Sequence, residues 1–122
     1  MFLEGKVALV TGAGQGVGQG IALALAAEGA AVAVSGRTLE KLELTCALLR
    51  ERGADAMPVV CDVKSPVALR SMVDDVIERF GRLDILVNNA QEVPLGTLEQ
   101  VSDDSFTAGW ESGPLATFRL MK

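Results

Sequence analysis

The stretch VTGAGQGVGQG, residues 10–20, sets five glycines at alternate positions from Gly12 to Gly20, between one apolar run and the next. Upstream, KVALVT (6–11) is a continuous apolar run, the pattern of a strand covered on both faces of a parallel sheet. Downstream, GVGQGIALALAAEGA reads as a helix beginning near Gly16, with Val17, Ile21 and Leu25 spaced four apart as its expected core face and Gly29 as its stop. Two readings of the turn stand side by side. Its glycines permit positive φ and close packing at a strand-to-helix turn. They also remove the side chains that would keep a phosphate away from backbone N–H groups at the positive end of a helix. The register that fits is T-G-x-x-x-G-x-G, on Thr11, Gly12, Gly16 and Gly18, and no G-x-G-x-x-G register exists here.

The rest of the chain repeats the alternation. AVAVSG (31–36) predicts a second strand, and TLEKLELTCALLRERG a second helix with Thr38 as N-cap, Leu42, Cys46 and Leu49 on one face, and Gly53 at its end. MPVVCDV (57–63) predicts a third strand. Ser65, followed by Pro66, opens a third helix whose apolar stripe runs through Leu69, Met72, Val73, Val76, Ile77 and Phe80 to Gly81. LDILVNNA (83–90) predicts a fourth strand. The final segment from Val101 starts like a helix but carries Gly109, Gly113 and Pro114, which are expected to interrupt it. Strands separated by helices of this length imply βαβ units and an α/β, doubly wound parallel sheet.

Composition narrows the function classes. A chain of 122 residues with 49% hydrophobic and 22% charged residues suits one packed domain. A net charge of −5 gives no footprint for nucleic acid or an anionic membrane, and neither is expected as a partner, although a local basic pocket remains compatible with it. The longest apolar stretch, IALALAAEGAAVAV, is broken by Glu28 and Gly29 and is too short to span a bilayer. Glu4 and Lys6 interrupt the N-terminal region where a secretory leader would be apolar. Cys46 and Cys61 lack C-x-x-C spacing and a third ligand, so reduced thiols, a cytoplasmic location and no metal are expected. The chain has no His and no Tyr, which removes the commonest general base and the phenol acid.

With these elements in place, TGAGQGVG (11–18), CDV (61–63), LVNNA (86–90) and the larger block GRLDILVNNA (81–90) together resemble, in order and over nearly the whole chain, the motifs of the short-chain dehydrogenase/reductase family. The resemblance implies a Rossmann-like dinucleotide-binding portion of an oxidoreductase that moves hydride between a nicotinamide and a small carbonyl or alcohol substrate. It also implies that Gly12, Gly14, Gln15, Gly16, Val17 and Gly18 line the pyrophosphate, that Asp62 and Val63 edge the adenine, and that Asn88, Asn89 and Ala90 border the ribose. Gln15 stands where the extended branch of the superfamily would want glycine, which favours the shorter reductase branch. The residues carry physical readings of their own. Asp62 ends a buried strand, where it either accepts a hydrogen bond from a ligand amine or closes a turn. Asn88 and Asn89 either pin adjacent strands or touch ligand. The Asp pairs at 74–75 and 103–104 read as solvated or dipole-facing acids, and Met57, Met72 and Phe80 as core. At the end of the second strand, SGRT places Arg37 where an NAD-selective site would carry an acid, so Arg37 is expected to pair a 2′-phosphate and select NADP over NAD.

The sequence also departs from the family pattern. Its chemistry uses a Ser, a Tyr, a Lys three residues after that Tyr, and an Asn in the preceding helix; alignment puts Gly113 at the Asn position, and Gln91 where the family usually has Gly. The 122 residues alone are therefore expected to turn nothing over. LDILV left as a sheet edge, and the stripe Leu115, Phe118 and Met121, lead to the expectation that the natural polypeptide continues beyond Lys122 with a fifth strand. By resemblance a homodimer or homotetramer is expected, with Trp110 and Phe118 as candidate anchors. A second class is a catalytically silent dinucleotide-binding or interaction module. A flavodoxin-like or receiver domain would need an acidic cluster after the first strand, where Thr11 and Gly12 stand.

Overall fold

Every residue of β1 (Val7–Thr11) is buried, as an apolar run covered on both faces requires. The computed structural model describes residues 1–122. After β1 come α1 (Gly16–Ala27), β2 (Ala31–Gly36), α2 (Leu39–Glu51), β3 (Ala56–Val60), α3 (Pro66–Phe80) and β4 (Ile85–Val87). The chain ends in α4 (Asp103–Trp110), a π-helical turn (Glu111–Leu115) and α5 (Ala116–Met121). All strand pairs are parallel, in the order β3-β2-β1-β4, with Val10 opposite Val34 on one side and Val87 on the other. Alternate residues of the strands feed two cores. Val10, Val32 and Val34 pack with Ala22 and Ala26 of α1 and Leu42, Cys46 and Leu49 of α2. Val7, Leu9, Ala33 and Val59 pack with Leu69, Met72 and Val76 of α3 and Ala116 of α5. Helices on both faces make the sheet doubly wound, in the Rossmann-like manner. No helix is long and apolar enough to cross a membrane.

Four details differ from the sequence reading. The face of α1 that enters the core is Gly18, Ala22 and Ala26, not Val17, Ile21 and Leu25: Val17 is 73% exposed, and Ile21 and Leu25 pack only at the margin. Size rather than hydrophobicity decides this, because the first turn of α1 sits so close to the end of β1 that a Cβ on Gly18 would lie 2.1 Å from the Gly12 carbonyl oxygen. The third strand stops at Val60 rather than Val63. Cys61 N still donates to Gly36 O at 2.9 Å, and then Asp62 Oδ1 accepts from Lys64 N at 3.0 Å and turns the chain. The fourth strand shrinks to three residues. In α3, Ile77 is outside the buried stripe, at 42% exposed.

The last segment is helical throughout despite its glycines and proline. Pro114 falls inside the π-helical turn, whose wider backbone accommodates a residue that lacks an N–H and would clash in an α-helix. Trp110, Phe118 and Met121 on this segment are exposed.

Short as it is, β4 is fixed at both ends by side chains. Asp84 Oδ2 accepts from Val7 N at 2.9 Å and from Arg82 Nε at 2.8 Å, and Asp84 N donates to Val7 O at 2.9 Å. The Arg82 hydrogen bond, then that from Val7 N, holds the Asp84 carboxyl below the usual range. At the other end, Thr11 Oγ1 accepts from Asn89 N and Ala90 N, both at 3.0 Å, and donates to Val87 O at 3.4 Å. Thr11→Val removes the acceptor for two backbone donors while keeping the shape; we expect a loss of about 2 kcal/mol in urea unfolding with an unchanged denaturant slope. A loss within experimental error of zero would show that the hydroxyl does not hold β4.

Candidate functional site

Parallel strands all end on the same side of the sheet, and the crevice opens where the chain winds in opposite directions from the central strands. Here that point lies between β1 and β4, and a cleft of about 380 Å³ occupies it. Its floor is the glycine loop. Gly12 has φ +65°, and a Cβ there would meet Ala90 Cα and Asn89 Nδ2 at 2.9 Å, so only glycine lets the loop lie against the end of β4. Thr45, buried on α2, braces the loop from behind: its Oγ1 donates to Ala13 O and accepts from Gln19 Nε2, both at 3.0 Å. At the N-terminus of α1, Gln15 is extended and makes no side-chain cap, and the first turn carries no acid. The positive end of the helix therefore faces the cleft without an internal counter-charge, which suits an anion.

Gly12, Gly14, Gln15, Gly16, Arg37, Asp62, Val63, Asn89 and Ala90 line this cleft, so nine of the sequence-derived positions converge in one place. Three do not line it. Gly18 is buried behind the loop, whereas Val17 and Asn88 are exposed outside it. Both open readings of the asparagines resolve in part: Asn89 Nδ2 donates to Gly12 O at 3.1 Å and so pins the glycine loop, and the same residue also borders the cleft. Asp62 likewise closes a turn through Lys64 N while lining the cleft.

Other lining residues were not evident from sequence, among them Lys41, Gln91, Glu92 and Ser112. They reach the cleft from α2 and from the far wall, the segment after β4 that crosses the last helix. That segment lies on small residues. A Cβ on Gly109 would be 3.0 Å from Pro94 Cδ, and Ser112 Oγ accepts from Glu92 N at 2.7 Å. Gln91 covers Gly113, where a Cβ would sit 2.9 Å from Gln91 Nε2. The two positions at which the sequence departs from the pattern it resembles are thus in contact, with the Gln91 side chain lying directly over Gly113. Arg37 NH1 reaches across the cleft to Glu92 Oε1 at 2.6 Å. No group of three or more His, Cys, Asp or Glu side chains is assembled to hold a metal.

Cys61, at 4% exposure, forms part of the cleft lining. Burial pushes its thiol up to about 11 from 9.0, and the neighbouring Asp62 carboxylate adds to the rise. Because the folded value lies above the unfolded one, the stabilisation from keeping Cys61 protonated is complete below pH 9 and is lost as pH rises toward 11. We expect iodoacetamide at pH 8 to label the denatured chain readily and the folded protein slowly. Equal rates would contradict a buried, protonated Cys61.

Residues 6–122 match the sequence profile of the short chain dehydrogenase family. An uncharacterized oxidoreductase of Thermotoga maritima is 42% identical over 106 residues, covering 87% of this chain and 41% of that protein. Versicolorin reductase of Emericella nidulans is 42% identical over 105 residues, 85% of this chain and 40% of that protein. Among solved structures, a short chain dehydrogenase of Burkholderia cenocepacia in complex with NADP aligns with a TM-score of 0.94 at 38% identity, over 99% of this chain and 50% of that one. An NAD+-bound xylitol dehydrogenase aligns with a TM-score of 0.93 at 37% identity, over 99% of this chain and 47% of that one. This chain therefore spans no more than half the length of these relatives. On the profile match across nearly all its residues, and on a fold shared with those structures, the chain belongs to the short-chain dehydrogenase family.

Proposed function

We propose that this chain is the dinucleotide-binding portion of an NADP-dependent oxidoreductase that transfers hydride between the nicotinamide and a small carbonyl or alcohol substrate. The observation that carries the reading is the glycine cradle itself: a loop stripped of side chains, braced by Thr45 and Asn89, facing an uncapped helix N-terminus. Gly12, Gly14, Gln15 and Gly16 would hold the pyrophosphate, with Gly18 setting the distance of α1 and Val17 flanking the entrance. Asp62 and Val63 would edge the adenine, and Asn89 and Ala90 the ribose, with Asn88 outside the cleft beside them. When bound, the dinucleotide supplies or accepts the hydride; these residues bind and orient it. The chain holds no Tyr or His, so neither a phenol nor an imidazole is available within it for proton transfer.

Related proteins bind either dinucleotide, one solved with NADP and another with NAD+, so the preference rests on this chain's own residues. Arg37 lines the cleft at the end of β2, and no acid stands at that position to receive ribose hydroxyls. A cytoplasmic location, a homodimer or homotetramer anchored by the exposed Trp110 and Phe118, and the absence of nucleic-acid or membrane partners complete the proposal. The catalytically silent module is the second reading, favoured by Gly113 at the Asn position.

Titration of the protein with NADP and NAD tests the cofactor reading. A charge-assisted contact is worth about 1.5–3 kcal/mol, and the solvent exposure of Arg37 places the expectation at the lower end, about a tenfold preference for NADP that Arg37→Ala removes. Equal affinities in the unmodified protein would overturn it.

A further inference from the structure

Arg37 at the end of β2 and Lys64 in the turn after β3 share a single carboxylate. Glu92 Oε1 accepts from Arg37 NH1 at 2.6 Å and from Lys64 Nζ at 3.0 Å, and Glu92 Oε2 lies 3.2 Å from the same ammonium. Glu92 stands on the opposite wall, 55 residues from Arg37 along the chain. Its backbone is fixed there, because Glu92 N donates at 2.7 Å to Ser112 Oγ and Ser112 is only 2% exposed. Asp62, the other carboxylate of the cleft, is already occupied by Lys64 N. One carboxylate on a wall anchored at Ser112 thus spans the cleft and neutralises part of the charge that Arg37 and Lys64 present.

The side chains involved are 62%, 27% and 30% exposed for Arg37, Lys64 and Glu92, so these pairs add little to folding. Their consequence is for ligands. We infer that Glu92 is a specificity-determining residue: its carboxylate competes with a ligand phosphate for Arg37 and Lys64 and so limits the preference for a 2′-phosphorylated nucleotide over an unphosphorylated one. The inference rests on the proposal that Arg37 faces the 2′-phosphate. A phosphate near that guanidinium must displace Glu92, or bind beside a like charge. A ribose hydroxyl carries no charge to compete and gains far less from the cation pair than a phosphate does. Removing the carboxylate therefore raises affinity for the phosphorylated ligand and leaves the other nearly unchanged.

Calorimetric titration of the protein with adenosine 2′,5′-bisphosphate and with adenosine 5′-monophosphate tests this. Glu92→Gln and Glu92→Ala are both measured, each first shown by thermal unfolding to be folded. We expect about a fivefold tighter bisphosphate complex in both variants, from an exposed pair near the upper end of its usual strength, and less than about twofold change for the monophosphate. Adding Arg37→Ala to Glu92→Gln is expected to cancel the gain. Unchanged bisphosphate affinity in both variants overturns the inference, as does an equal gain for both ligands, which would make Glu92 a steric obstruction. The two readings separate cleanly. If Arg37→Ala alone lowers bisphosphate affinity while the Glu92 variants are silent, only this inference fails. If Arg37→Ala is silent and Glu92→Gln still favours the bisphosphate through Lys64, the assignment of the 2′-phosphate to Arg37 fails, and with it the part of this inference that runs through Arg37.

Discussion

Three elements meet at Gly12, and the geometry of the cleft depends on that meeting. Its Cα side lies against Ala90 at the end of β4, its carbonyl oxygen accepts from Asn89 Nδ2, and the first turn of α1 passes so near that Gly18 can carry no side chain. A methyl group at Gly12 would meet the Ala90 backbone and one at Gly18 the Gly12 carbonyl, with the Asn89 amide close to both, so moving that side chain alone would not make room and β4 or α1 would have to shift. Thr11, one residue earlier, adds the polar half of the same junction by replacing two ladder bonds of β4 with its hydroxyl. The open N-terminus of α1 is thereby held at a fixed distance from the ends of β1 and β4, a precondition for backbone amides to act as a preorganised anion site.

Electrostatics in the cleft follow from which groups remain uncompensated. The net charge of the chain is −5, yet in the cleft lining Arg37 and Lys41 balance Asp62 and Glu92, and the uncapped end of α1 adds a positive pole. An acidic protein can thus present a pocket whose side-chain charges cancel and whose helix end is positive, without attracting polyanions at large. The far wall that carries Glu92 owes its position to small residues, Gly109 of α4 and Ser112 and Gly113 of the π-helical turn, which also keeps the helical segment continuous past Pro114.

Much of this was legible in the residues. Continuous apolar runs gave the strands, glycines in left-handed conformation closed α1, α2 and α3 at Gly29, Gly53 and Gly81, and Ser65 capped α3 through Ala68 N as its type and spacing suggest. The α1 face does not follow its apolar side chains Val17, Ile21 and Leu25, because the close approach at Gly12 selects Gly18, Ala22 and Ala26 by size. The third and fourth strands end at Val60 and Val87, short of the expected Val63 and Ala90, because hydrogen bonds to side chains, from Lys64 N to Asp62 and from Asn89 N to Thr11, take over from the ladder. The contacts of Glu92 with Arg37 and Lys64 and of Gln91 with Gly113 link residues distant in the chain, and no local pattern encodes them.

We propose that the junction at Gly12 builds a pyrophosphate site whose outer rim is set by Arg37. A crystal structure of the protein with NADP measures this directly. The pyrophosphate is expected against the backbone amides between Gly14 and Gly16, with the Arg37 guanidinium turned from Glu92 onto the 2′-phosphate. A dinucleotide bound away from the glycine loop, or one bound there with the Arg37–Glu92 contact intact and the 2′-phosphate in solvent, would contradict it.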